Sequence, residues 1–217
     1  MKRFCFLLLI FSAIAAYSQP AENPYPDYLE ELFLDMDFKQ NLATPEVPDD
    51  LKPALNSYMK KTADQFQKKL PDALKKVIKV GLVRNGEVMV VTYPADELFN
   101  PNDTLFSKYA ERALQEIIPL MKDPYIYKVV YAVSTDNTGS DLYRASLTDA
   151  RMNSIYDWFW KRFDDNKIPD EIVVIPESLS SDEPVADNLT RENRRKNRRI
   201  DFYFVPGPKL ISMLKAK

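Results

Sequence analysis

Ser134 to Ile155 reads STDNTGSDLYRASLTDARMNSI, and the whole chain takes its sense from this stretch. The apolar run Val129-Val130-Tyr131-Ala132-Val133 stops just before it, which puts Asp136 at the C-terminal end of a strand. A polar loop with Gly139 follows. Ser146, with Asp149 three residues on, has the form of a capping box, so a helix is predicted to open at Ser146 with Arg151 in its first turns. A carboxylate from a strand end and a guanidinium from a helix start are thereby brought to one place. A cation at a helix start opposes the macrodipole by a few tenths of a kcal/mol, up to about 1. Two arrangements would offset that cost. One is an ion pair of Arg151 with Asp136, or with the nearer Asp149. The other is a cleft for a zwitterion, the carboxylate taking an ammonium and the arginine fork taking a carboxylate.

Downstream, Met152, Ile155, Tyr156, Phe159, Trp160 and Phe163 make an aromatic helix face. At this spacing it reads as packing onto a sheet rather than as a sugar-stacking platform, with Trp158 off the face and partly exposed. Glu171 to Ile175 is predicted as a buried strand, and strand–helix–strand at this length implies a right-handed parallel crossover. Residues 177–188 form a polar connection. Thr190 to Arg199, TRENRRKNRR, holds six cations in ten residues, but without aromatic interleaving and in a chain of net charge −2 it does not read as a nucleic-acid site.

Upstream, Val77–Val83 and Glu87–Tyr93 flank Arg84-Asn85-Gly86, a hairpin signal. Tyr109–Met121 is predicted as a helix with Ala110, Ala113, Leu114, Ile117, Ile118 and Met121 in one stripe, and Ile126–Val133 as a central strand.

Of 217 residues none is histidine, and the single cysteine is Cys5. That inventory disfavours a zinc site, a disulfide, a haem and any Cys–His or Ser–His nucleophile, so no metal and no cofactor is expected. Residues 1–18 read as a secretory leader: Lys2 and Arg3, an apolar core, then Ala16-Tyr17-Ser18 before a cut at Gln19. The alternative is a leader retained as an anchor. Residues 19–70 form a helical extension. A lead-in with Pro20, Pro24 and Pro26 precedes a helix over Tyr28–Leu42. Beyond Pro45 and Pro48, a second helix carries Leu51, Leu55, Tyr58, Met59, Thr62, Phe66 and Leu70 on its apolar side. The pair reads either as a helical hairpin laid against the main domain or as a partner-binding arm. Residues 71–208 are the main α/β domain, and 209–217 a short basic amphipathic tail.

The central stretch resembles the signature of the OmpA-like peptidoglycan-binding domains, shared with Pal lipoproteins and MotB stators. Thr135, Asp136, Gly139, Ser140, Tyr143, Leu147 and Arg151 stand at matching positions, with Thr148 for a serine and Ile155 for a valine. Pro94 with Leu98-Phe99 is similar to the family's stretch after its first strand. Pro184 to Thr190 followed by Asn193 to Phe202 resembles its ending, so the likeness spans Val77 to Val205. It implies a βαβαβ sandwich, a mixed sheet with helices packed on one face. It also implies that Asp136 and Arg151 hold the amino and carboxylate groups of diaminopimelate in a peptidoglycan stem peptide. Asn102 would line the cleft, the alternative being a turn or helix cap at Asn102 and Asp103, and Arg198 and Arg199, starting the last strand, would bring a further cation toward a stem carboxylate. Thr138 and the N–H groups of the helix start would add hydrogen bonds.

The sequence departs from the signature at Val133-Ser134, which replace Gly-His, at Arg144 for an asparagine, and at Asn193 for a glycine. Arg144 either strengthens carboxylate binding or blocks the cleft. The resemblance implies a non-enzymatic, exported envelope protein of the periplasm, wall- or outer-membrane-associated, with peptidoglycan as partner. A second protein would meet the N-terminal helices, and no membrane span is expected in the mature chain. The competing expectation is a scaffold of this fold that has lost its ligand and acts through protein contacts. A carboxylate-only wall hydrolase, using acids such as Asp164-Asp165, is a third and poorer fit.

Overall fold

A computed structural model describes residues 36–43 and 47–216. The leader and most of the first extension helix lie outside the described residues. In chain order the elements are α1 (Phe38–Asn41), α2 (Lys52–Lys69), α3 (Asp72–Lys75), β1 (Lys79–Val83), β2 (Val88–Pro94), α4 (Ala95–Leu98) and α5 (Ala110–Leu114). Then come β3 (Tyr127–Ser134), α6 (Asp141–Asp164), β4 (Val174–Ser180), α7 (Arg191–Asn197), β5 (Arg199–Pro206) and α8 (Pro208–Lys215). Gln115–Met121, around Pro119, continues α5 as a 3-10 helix.

The sheet runs β1-β2-β5-β3-β4. Only β3 and β4 are parallel; the other pairings are antiparallel. The β1–β2 hairpin closes through Arg84, Asn85 and Gly86, all at positive φ (50°, 57° and 93°), the conformation that the Asn-Gly pair accommodates. Alternation along β5 divides the molecule. Ile200, Phe202 and Phe204 face a large core with α2, α5, α6 and α8, while Tyr203 and Val205 face a smaller cluster on the other side. Leu55, Met59 and Phe66 of α2 and Leu210, Ile211 and Leu214 of α8 sit in the large core with the sheet.

Three features differ from expectation. The described parts of the extension lie on opposite faces of the sheet: α2 lies on the large core, whereas Met36, Phe38 and Leu42 cover the other face, Phe38 meeting Tyr203 edge-on at 5.6 Å. β4 begins only at Val174 and runs on through Pro176 to Ser180, because the parallel register with β3 continues past the apolar residues. On α6, Trp158 is buried (6% exposed) and Trp160 is exposed (51%), the reverse of the helical-stripe reading. The Trp158 indole N–H finds Glu111 at 2.8 Å and the Arg162 guanidinium covers its ring, so a polar edge is accommodated in the core.

Candidate functional site

The candidate side chains gather where β3 and β5 meet the loops beyond them. β3 ends at Ser134, after a register shift against β4 between Val133 and Ser134, and Thr135 N–H donates to Ser180 O at 2.7 Å. This irregularity ends the strand and delivers Asp136 to the rim. Gly139 takes φ 87°, and Ser140 then caps the helix by accepting the Tyr143 N–H at 3.2 Å. α6 therefore starts at Asp141, not at Ser146. Ser146 and Asp149 are interior helix residues, and Arg151 stands in the third turn, clear of the N-terminal dipole. Ser140 sits directly after a residue in the left-handed region, where the chain is already turning, so it takes the cap.

Asp136 and Arg151 do not pair with each other. Asp136 is 5% exposed; one carboxylate oxygen accepts the Thr138 N–H at 2.8 Å and the other accepts Arg198 Nη1 at 2.6 Å. Burial alone would raise this carboxyl, but hydrogen bonds from Thr138 and Arg198 and the Arg198 charge outweigh it and hold Asp136 below the usual carboxylate range. Arg198 in turn forks onto Asp96 with Nε at 3.2 Å and Nη2 at 3.0 Å, and the Asp96 bonds raise its pKa further. The β2–β5 pairing sets Pro94 opposite Arg199, and Ala95 N–H donates to Arg198 O at 2.9 Å, which is what brings Asp96 here. Sequence reasoning missed Asp96; only the strand pairing joins residue 96 to residue 198.

Arg151 is 4% exposed. Its Nε donates to Asp103 O at 2.9 Å, and its guanidinium lies 5.0 Å from the Phe99 ring centroid. Among the described residues no carboxylate lies within 4 Å of it and no acceptor meets its Nη atoms, yet these are not sealed orphans. Burial first, and Arg198 as a second cation, lower its pKa against the opposing pull of Asp96; an arginine remains charged regardless.

The other expected residues divide. Arg144 is engaged in the loop: Nε donates to Ser181 Oγ at 3.0 Å, Nη1 to Gly139 O at 2.6 Å, and Nη2 pairs with Asp141. It fastens the Asp136 loop to the end of β4, and so neither reinforces nor plugs a cleft as a free cation. Arg199 alternates to the opposite sheet face and pairs with Asp201 at 2.7 Å. Asn102 is exposed at φ 53° in the turn that Asp103 ties by accepting Thr104 N–H at 2.7 Å. That turn supplies the carbonyl that Arg151 holds. No helix among the described residues is long and apolar enough to cross a membrane.

The five-stranded sheet with its helical layer and strand-end loops is an OmpA-like α/β fold. The chain is similar to a putative MotB-like protein from Desulfovibrio vulgaris, with 18% identity over 72% of this chain and 96% of the other, at a TM-score of 0.61. It is also similar to the cell wall anchor of the T6SS from Pseudomonas aeruginosa, with 22% identity, 66% and 96% coverage, and a TM-score of 0.52. No protein-family model and no curated protein matches the chain.

Proposed function

We propose that this chain is a non-catalytic, wall-binding protein of the cell envelope, exported to the periplasm, that holds a diaminopimelate stem peptide of peptidoglycan non-covalently. The observation that carries the reading is Arg151: a buried arginine fixed through one N–H, whose remaining fork has no protein carboxylate among the described residues. A partly buried, unmatched guanidinium suits a bidentate carboxylate from a ligand. Asp136, ionised through Arg198 and Thr138, has carboxylate lone pairs left for an ammonium. Arg198, anchored on Asp96, adds a second positive centre beside it, and Thr138 and Asn102 would add neutral hydrogen-bonding groups. The likeness to a MotB-like protein and to a cell wall anchor supports the reading, as does the leader-like start of the sequence. A partner reached through the N-terminal segment would supply any link to the outer membrane.

Co-sedimentation with purified sacculi tests this. Wild type is expected in the pellet, and Arg151→Ala and Arg151→Lys in the supernatant, since lysine keeps the charge but not the fork. One observation favours a second reading, a ligand-free scaffold: Asp136 is already occupied by Arg198. Equal absence of all three proteins from the pellet would select it.

A further inference from the structure

The structure assigns a second binding site to the far flank of α6, and we propose that it takes a neutral saccharide, the glycan portion of the same wall polymer. This rests on the wall-binding reading of the Arg151 cleft but uses separate residues. Between α6 and the edge strand β4 lies a groove of about 350 Å³, within the range of ligand-sized sites, which begins near 300 Å³. Tyr156, Trp160 and Phe163 form its wall. They are stacked edge-to-face, Tyr156 to Trp160 at 6.0 Å and Trp160 to Phe163 at 5.9 Å. Tyr156 is 37% and Trp160 51% exposed, so this is an open aromatic ridge and not core.

The chemistry of the lining selects the occupant. Among the described residues its only charged member is Asp170, so neither an anionic headgroup nor a phosphate is favoured. Asn153 and Asp170, polar and exposed, make no side-chain hydrogen bond or ion pair among the described residues, and a purely apolar ligand would leave them unmet. An added peptide strand is disfavoured by the edge itself. Val129 N–H donates to Val173 O, so residues 173, 175 and 177 bond toward β3, while 174, 176 and 178 face the open side. Residue 176 is proline, and its missing N–H interrupts any ladder built there. A pyranose fits what remains: C–H faces for the aromatic rings, hydroxyls for Asn153 and Asp170, and no charge. Arg151 and Trp160 lie on one helix, about 13.5 Å apart along its axis at 1.5 Å per residue, and nine residues at about 100° each put them on opposite flanks, so the two sites are separate.

The test is titration of the full chain with a β-1,4-linked N-acetylglucosamine tetramer, which carries no stem peptide, followed by calorimetry and tryptophan fluorescence. Saturable binding at millimolar or lower concentration is expected, weakened about tenfold or more in Trp160→Ala and in Asn153→Ala. Both variants should keep wild-type affinity for a sugar-free diaminopimelate tripeptide. Because the tetramer lacks the stem, its failure to bind leaves the Arg151 reading intact and overturns only this one. Unchanged affinity in both variants would overturn it too. So would concentration-dependent dimerisation that Trp160→Ala abolishes while no tetramer binds, since the groove would then be a contact between copies.

Discussion

Among the single residues, Asp136 shows how a carboxylate is kept ionised in a nearly closed position. Its folded pKa is depressed, so the stability it contributes is present above its unfolded value, about 3.9, and is lost as pH falls through the folded one. Asp136→Asn should cost about 1.5 to 3 kcal/mol at neutral pH, the range for a hydrogen bond to a charged group. It should also flatten the acid limb below about pH 4. Urea midpoints measured between neutrality and strong acid check both. The placement of Asp136 beyond the end of β3 and of Arg151 on the helix that follows was legible from the sequence, and the candidate role of both came from the family resemblance. Their partners were not legible: Asp136 turns to Arg198, and Arg151 to the Asp103 carbonyl, because residues 48 and 62 positions away are joined only by folding. Arg144 is the instructive case. A cation next to a cleft in sequence is, in space, a clamp on the carbonyls of its own loop.

Elements were easiest to read where local chemistry had one solution, as in the Asn85-Gly86 hairpin and the apolar run of β3. They were misread where two local signals competed. Ser146 with Asp149 imitates a helix start, but Ser140 after Gly139 holds the cap. Ser140→Ala should therefore lower stability by about 1 kcal/mol. Ser146→Ala, in an exposed interior turn, should change it by no more than about 0.5 kcal/mol. Denaturant midpoints of the two variants distinguish the starts, and the opposite ranking would restore the later one. The exchange of Trp158 and Trp160 has a similar origin. Helical spacing counts apolar residues, but Glu111 and Arg162 give Trp158 a partnered polar edge inside, and no sequence window contains all three. β4 was placed too early because its second half, Pro176 to Ser180, is polar while its backbone still follows β3.

At the scale of the molecule, the sheet is covered on both faces by one continuous chain. α2 and α8, read as extension and tail, contribute to the same core as the strands, and residues 36–42 close the opposite face over Val130, Ala132 and Tyr203. Phe38→Ala should destabilise the protein by about 1 to 3 kcal/mol, short of the cost of a fully buried phenylalanine, as equilibrium urea unfolding would report. A change near zero would mean that this face needs no cover. The strand-end loops carry the Arg151 guanidinium, held through Nε by the Asp103 carbonyl, and the proposed function rests on its remaining fork. The most direct measurement is calorimetry of the full chain with two stem tripeptides, one ending in diaminopimelate and one in lysine, which lacks the side-chain carboxylate. Binding of the first, and loss of at least about tenfold in affinity for the second, is the expected result. Equal affinity for the two, or none for either, would contradict it.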